Sequence, residues 1–510
     1  MMTILFSPDR FSLRIQLAGI KRLNEVTSAV LSRSRSITVR IVSVLLLAGI
    51  AQAALANSNL VNISTRLEPF FDDYLVATVH NVSLVLGIPE NNGTVLSFDE
   101  PYEGNFACYV TVLKDEQKYR MYYRGQSTDK SPSVTCYAES NDGRKWVKPR
   151  LGLNAYQGRK DTNIIMVGDG TGNFCPFIDA NPMVKPEEKF KAVGGSARTG
   201  LYAFASADGV NWHRLYDRPV FTEGAFDSQN VPFWSDAEGC YVLYFRVWSE
   251  GDFNGIRTIS RTTSKDFIHW SRPERMTFGD TPMEHLYTNQ THPYYRAPHI
   301  YLAFSMRLMP ERQLLSAEEA RSLGVFPDRE RHVSDTIFMT SRGGTAYQRT
   351  FMSAYFRPGL DRNMWVARNS IVALGVVPLE KGRMGLYRQH HYASPTNHLV
   401  LYSMREDGIA SLHAGAEAGF VVTKPFKHTG TGLWLNYATS AVGTVAVEVL
   451  DADGNGLTGF SGEQASRFFG DSLEEEVKWS SGRSWAQLAG KVVRLRISLH
   501  DADLYSIQQR

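Results

Sequence analysis

From about residue 66 to residue 408 the chain alternates short apolar or aromatic runs with polar breaks, the pattern of strands and turns rather than of helices. Three kinds of segment recur in a fixed order. The first is an apolar strand opened by polar residues: EGNFACYV from Glu103, GNFCPFID from Gly172, DSQNVPFW from Asp227, NQTHPYY from Asn289 and RNSIVALGVV from Arg368. The second is an aromatic strand that often ends in arginine: YRMYYRG, FKAVGG, YVLYFRVW and YLAFSMRL, beginning at Tyr119, Phe190, Tyr241 and Tyr301. The third is a turn of the form Ser-x-Asp-Gly-x-x-Trp, intact at Ser140–Trp146 and Ser206–Trp212 and decayed at Ser264–Trp270 and Ser341–Tyr347. Asp-Gly between β-rich runs is a strong hairpin signal.

The turns start 66, 58 and 77 residues apart, so each unit is too small to fold alone. Four-stranded units in radial repetition predict a five-bladed β-propeller over residues 57–408. The fifth unit lacks an outer strand after Asp407, and the segment His80–Gly87 is expected to supply it. From 409 to 510 the rhythm changes to short alternating strands, GLWLNYAT, TVAVEVLDADGNG and VVRLRISL among them, which predict an antiparallel β-sandwich in an accessory role.

A propeller makes the polar residues interpretable. Inner strands line the central channel in parallel. The loops into them meet on one face, called here the top, together with the ends of the second strands. The starts of inner strands bring Glu103, Asn105, Asn173, Asp227 and Asn230 to that face. The second strands deliver Arg124, Arg246 and Arg307. Glu284 and His285 precede the fourth inner strand, Asp335 opens the fourth blade's third strand, Trp365 and Arg368 lead into the fifth inner strand, and His390 and His391 end its second strand. Acids, arginines, histidines and a tryptophan in one concavity are the composition of a carbohydrate pocket. Cleavage of a glycosidic bond needs two carboxylates. Glu103 and Asp227 are the expected central pair, with Asp227 as acid and Glu103 held ionised by Arg124, and Glu284 is a third catalytic candidate. The remaining residues, Asp335 and His390 among them, are expected to contact substrate. Asp142, Asp208, Asp179 and Asp236 lie in turns on the opposite face and are expected to be structural.

Composition narrows the classes. The net charge of +3 comes from the N-terminus: residues 1–56 hold seven Lys/Arg and two acids, leaving 48 basic and 50 acidic residues beyond them. That balance gives no reason to expect nucleic acid as a partner. The run IVSVLLLAGI at Ile41–Ile50, followed by AQAALA, predicts an export signal cleaved after Ala56, too short for a spanning helix, and hence a secreted or periplasmic protein with no stable membrane insertion. Cys108, Cys136, Cys175 and Cys240 lack metal or redox spacing and fall in apolar runs, so no metal or cofactor is expected and the thiols should be buried.

Five units with carboxylates at the inner strands resemble the five-bladed propeller glycosidases, the invertase-like and arabinanase/β-xylosidase-like glycoside hydrolase families 32 and 43. FFDDYLV near the start, FDSQNVPFW and the final DLYSIQ resemble an uncharacterised secreted bacterial branch related to them. The resemblance implies a nucleophile or base on blade one, a pKa-modulating acid on blade two and a general acid on blade three. Those families place Asp, Asp and Glu there. This chain has Glu103, Asn173 (or Asp169 slightly earlier) and Asp227, and it lacks the NDPNG and RDP motifs. The leading expectation is a secreted glycoside hydrolase. A glycoside phosphorylase using the arginines as a phosphate cradle and a non-catalytic sugar-binding propeller are the alternatives, and an arginine-rich funnel also suits anionic sugars.

Overall fold

The structure, a computed structural model, describes residues 60–127, 132–171, 173–251 and 253–510; the expected leader at 1–56 lies outside the described residues. Five four-stranded antiparallel blades surround an axis. Blade one runs Cys108–Lys114, Tyr119–Gly125, Val134–Ser140 and Ile164–Met166 from the axis outward. Blade two follows with Cys175–Ile178, Phe190–Ser196, Gly200–Ser206 and His213–Arg214, and blade three with Val231–Ser235, Cys240–Trp248, Arg257–Ser264 and Glu274–Arg275. In blade four Thr291–Tyr294 and the short His285–Leu286 share the inner edge of Ala297–Met309, which pairs outward with Val333–Ser341. Blade five is Val377–Pro378, Arg383–His390, His398–Arg405 and a strand from the N-terminal side of the ring.

That closing strand is not His80–Gly87. Glu90–Ser97 closes the ring, in a register that sets Leu96 opposite Leu399 and Asn91 opposite Tyr402. Ser83–Leu86 pairs instead with Ala410–Ala414 in the C-terminal sheet. An outermost strand buries little of itself, and ENNGTVLS is largely exposed, so its polar sequence looked like a loop. The C-terminal region is antiparallel β, as expected, built as one curled sheet. Its long strands Leu433–Asp451 and Val492–Gln509 pair along most of their length and wrap a core that includes Leu435, Val447, Trp485, Leu495 and Ile497. Leu67–Pro69 and Val76–His80 also join this sheet. Asp407 locks it to the propeller: fully buried, it accepts from Tyr294, Arg296, Asn436 and Ser506.

The repeated turn has a physical cause. In the first, the Ser140 hydroxyl accepts from the Gly143 amide at 3.0 Å, Asp142 accepts from the amides of Arg144 and Lys145 at 2.8 Å each, and the Trp146 indole donates to the Gly143 carbonyl at 3.3 Å. Ser206, Asp208, Gly209 and Trp212 repeat it. Gly143 and Gly209 sit at φ 71° and 74°, where a side chain is strained; in the decayed third copy Phe267 takes that place at φ 68°. Asp142 and Asp208 are therefore turn residues. Asp179 is also structural, accepting from Lys191 at 2.8 Å and from Tyr241 of the next blade at 2.7 Å. All four cysteines are free and buried.

The channel is closed by hydrogen bonds between blades. The Gln229 amide donates to Thr111 at 2.7 Å, Thr111 meets Cys175 at 3.8 Å, and the Gln290 amide donates to Gln229 Oε1 at 2.9 Å and to the Val372 carbonyl at 2.8 Å. Each blade contributes one member. Gln229 and Gln290 are fully buried. Below this ring lies an apolar chamber of about 360 Å³ lined by Val112, Phe177, Val231, Phe233, Leu374 and Val376. Gln229→Ala strands Thr111 and Gln290 in a buried site and opens a void, so it is expected to lower unfolding free energy by about 2–4 kcal/mol, while Asp236→Ala on the exposed rim changes it by less than about 0.5 kcal/mol. Urea unfolding of both variants measures this; equal, small effects would contradict the role of the ring.

Candidate functional site

Above the ring, every blade turns sharply into its inner strand. Tyr109, Asn173, Phe226, Gln290 and Arg368, one per blade, adopt left-handed backbone at φ 54°, 55°, 48°, 50° and 65°. Four of these five residue types rarely do so, and such strain is kept where surrounding structure fixes it, often at binding sites. The turns aim a compact group of side chains at the axis.

Its centre is Tyr287, buried just ahead of the fourth inner strand. The Arg246 guanidinium lies 4.1 Å from its ring centroid, Arg368 5.0 Å and Arg257 5.8 Å. Arg246 also donates to the Tyr287 carbonyl and pairs with Asp227 at 2.7 Å. Arg257 stacks on Trp248 at 4.2 Å and lies 3.3 Å from His285 Nδ1. Burial and that guanidinium both push the His285 imidazole below its ordinary pKa, leaving Nδ1 as an acceptor. Arg368 donates to the Tyr392 hydroxyl at 3.3 Å. Tyr109 donates to the Asp227 carbonyl at 3.2 Å, and Arg124 covers its ring at 4.7 Å. Arg124 in turn donates to Asn173 at 3.2 Å and to Cys108 Sγ at 3.0 Å. Burial raises the Tyr287 phenol, but Arg246 and Arg368 outweigh it and hold the phenol below the usual tyrosine value.

The structure thus brings Arg124, Asn173, Asp227, Arg246, His285 and Arg368 together. Tyr109, Arg257, Tyr287 and Tyr392 complete the group, and sequence reasoning missed them. Tyr287 lies two residues beyond His285 in MEHLYTN, and Arg257 opens a third strand as Asp335 does in blade four, so position gave the available signal. Residues 310–332, an insertion containing the helix Ala317–Ser322, border the funnel on the side of blades one and five. Phe326 packs edge-on to Phe106 at 5.0 Å, and Ala367 donates to the Arg329 carbonyl at 2.7 Å.

Other expected residues lie elsewhere. Glu103 does not present an open carboxylate. Its side chain is 0% exposed and accepts from Lys148 at 2.7 Å, Tyr123 at 2.6 Å and the Glu100 amide at 2.9 Å. Its cation is Lys148, not Arg124. Glu284 is not beside Asp227 in this network; it is bound by Arg307 at 2.7 Å and Arg349 at 2.6 Å, and these contacts hold it below the usual carboxylate range although burial pushes the other way. Asp335 receives two hydrogen bonds from Arg307, at 2.9 and 2.6 Å. Asn230 is fully buried. Asn105 uses its main-chain carbonyl to accept from Ala393 and Asn397. Trp365 donates to the Gly359 carbonyl at 2.8 Å. His390 stacks on Tyr402, and burial, then Arg388, push it down to about 3, so it is a neutral packing residue at physiological pH.

The opposite face holds a groove of about 790 Å³ along blade three, where Arg261 pairs with Glu238 and His269 contacts Asp266, each at 2.7 Å, and Lys265 donates to the Gly239 carbonyl at 2.8 Å. No cluster of three or more potential metal-ligating His, Cys, Asp or Glu occurs among the described residues, and no described helix is long and apolar enough to cross a membrane.

Burial raises the Glu103 pKa above its ordinary 4.5 despite Lys148. An acid raised by folding favours the folded state below its unfolded pKa, and that contribution is lost as pH rises through the folded value. Relative to the isosteric Glu103→Gln, the native protein is therefore expected to gain stability on acidification from neutral pH toward 4.5. Urea unfolding of both proteins across that range tests it; a native protein that loses stability relative to the variant would contradict the assignment.

No protein-family model matches the sequence, and no curated protein does. Among solved structures, the chain is similar to a glycoside hydrolase family 43 arabinoxylan arabinofuranohydrolase from Bacillus subtilis, with 11% identity over 80% of this chain and 96% of that one and a TM-score of 0.37. It is similar to an α-L-arabinofuranosidase from Fusarium graminearum, with 10% identity, coverage of 62% and 98%, and a TM-score of 0.39. It is also similar to an N-acetylgalactosamine deacetylase from F. plautii, with 13% identity, coverage of 65% and 97%, and a TM-score of 0.40.

Proposed function

We propose that this protein is an enzyme that cleaves a glycosidic bond in a poly- or oligosaccharide, with the sugar seated on the face where the inner strands begin and Asp227 as the carboxylate presented to it. The observation that carries this reading is exposure. The Asp227 side chain is 41% exposed, against 0% for Glu103 and 19% each for Glu284 and Asp335. The latter three spend their oxygens on Lys148, Arg307 and Arg349.

Glycoside cleavage requires attack at the anomeric carbon and a proton for the departing oxygen. Asp227 faces Arg246, which is 2% exposed, and a carboxylate in such a pair suits attack or activation of water better than proton donation. This reverses the acid role expected for it. Donation falls to a phenol: Arg246 and Arg368 loosen the Tyr287 proton. A phenol with a lowered pKa is a competent general acid. The aromatic rings of Trp248 and the tyrosines supply stacking surface for a sugar face.

The burial of Glu103 favours a second reading, a sugar-binding propeller without catalysis, since it removes the expected second carboxylate from the funnel. A screen of the purified protein against plant, algal and anionic glycans separates the two. On any glycan that is cleaved, Asp227→Asn is expected to lower kcat by at least about a hundredfold with unchanged folding, the scale of a lost positioned acid–base group. Cleavage that survives the substitution contradicts the assignment, and binding of a glycan with no bond broken by the native protein establishes the second reading.

A further inference from the structure

Four arginines converge on the Tyr287 end of the funnel, and only one has a carboxylate partner among the described residues. Arg246 has Asp227. Arg124 has an amide oxygen, a thiol and, at 3.5 Å, the Phe106 carbonyl; Arg257 has an imidazole nitrogen; Arg368 has a phenol. Elsewhere the same chain pairs its arginines generously: Arg307, Arg342 and Arg296 each hold two carboxylates, and Arg349 and Arg261 one each. The Nε atoms of Arg124, Arg246 and Arg257 are buried without a hydrogen-bond partner, and Arg246 as a whole is 2% exposed. Cations gathered away from water repel one another, and the aromatic faces of Tyr287, Tyr109 and Trp248 offset this only partly.

The crowding registers on Arg257: burial, then Arg246, with Arg368 also contributing, lower its pKa, whereas the neighbouring tyrosines and Cys108 outweigh burial and raise Arg124, and the tyrosines likewise raise Arg368. The phenol of Tyr287 is drawn toward its charged form although buried. A planar, forked guanidinium binds carboxylate, sulfate and phosphate through paired hydrogen bonds, and several around one point define a pocket for such a group.

We infer that Arg124, Arg246, Arg257 and Arg368 form an oxyanion-binding site, so that the ligand seated beside Asp227 brings a carboxylate, sulfate or phosphate group with it. The inference deepens the proposed glycosidic activity by naming its substrate class, and it shares that activity's site. The oxyanion has two sources of the same chemistry: a uronate or sulfate substituent of the sugar, or free inorganic phosphate taken up beside a neutral sugar.

An anion in this pocket opposes ionisation of Tyr287, and linkage makes the effect reciprocal. The charged and titratable groups around that phenol are Tyr109, Tyr392, Asp227, Arg124, Arg246, Arg257 and Arg368. Of the three phenols, Tyr287 is the one the arginines hold below its ordinary value, whereas burial raises Tyr109 and Tyr392. Bound oxyanion is therefore expected to move tyrosinate formation to higher pH.

The test is calorimetric binding to the full chain of four probes: an oligogalacturonate, a neutral galactan oligosaccharide of equal length, a sulfated oligosaccharide and inorganic phosphate. Near-ultraviolet absorbance reads tyrosinate in parallel. Tighter binding of either anionic sugar than of the neutral one, weakened by salt and shifting the tyrosinate titration upward, assigns the oxyanion to the sugar. Phosphate that binds alone and shifts the titration equally assigns it to a co-substrate. Arg368→Gln and the half-buried Arg257→Gln are each expected to weaken anion binding by about ten- to a hundredfold, the scale of a lost charge-assisted hydrogen bond, and to weaken binding of the anionic probes more than that of the neutral oligosaccharide. The pair of variants guards against one failing to fold. If no anion binds, or all bind unchanged in both folded variants, the inference is overturned. Anion binding without cleavage of any glycan removes the enzymatic reading and leaves the site standing, and cleavage of neutral glycans without anion binding does the reverse.

Discussion

The hydrogen-bonded ring at the axis is the interaction on which the rest of the structure depends. Five sheets packed face to face leave a channel where the inner strands meet, and the polar groups that face it need hydrogen-bond partners. Thr111, Cys175, Gln229, Gln290 and the Val372 carbonyl pair with one another in one layer, a member from each blade, with Gln290 Oε1 left without a partner. The ring separates an apolar chamber below from a charged funnel above. It also explains the polar start of the third inner strand. In DSQNVPFW, Gln229 and Asn230 are fully buried, and Asp227 alone of the four polar residues opens toward solvent.

Around that ring, the protein uses its charges in two ways. Asp179, Asp407, Glu103 and Glu284 are each saturated by lysine, arginine, tyrosine or amide donors. They join strands or blades that lie far apart in sequence. Breaking such a pair leaves an uncompensated buried charge, so these groups act as geometric constraints. At the top of the axis the balance changes. Arginines there are held by neutral partners and aromatic faces, and the one carboxylate among them is open. A site that stores positive charge in a poorly solvated concavity is prepared for a negative group before any ligand arrives.

The repeat architecture was legible because a propeller reuses one local solution. The Ser-x-Asp-Gly-x-x-Trp turn needs its serine, aspartate and glycine for specific hydrogen bonds and one left-handed residue, so it survives in sequence. The closing strand was misplaced because Glu90–Ser97 exposes most of its residues, and hydrophobic alternation fades where nothing packs on the outside. Roles at the site were harder to read. Position along the chain brought Glu103 and Asp227 to the starts of inner strands, but whether a carboxylate is open or sealed depends on partners contributed from elsewhere. Lys148 reaches Glu103 from 45 residues away. Tyr287 and Arg257 carried no motif, and their importance comes from convergence with Arg246 and Arg368, which only the folded chain displays.

The most direct measurement of the central claim is a crystal structure of the protein soaked with an oligosaccharide that it binds. The account predicts sugar density above the axial ring, with one ring beside Asp227 and its charged substituent, or a phosphate ion, against Arg368 and Arg257. Sugar bound instead in the groove of Glu238, Arg261 and Trp270, or in the apolar chamber below Gln229, with the arginine cluster left empty, would contradict it.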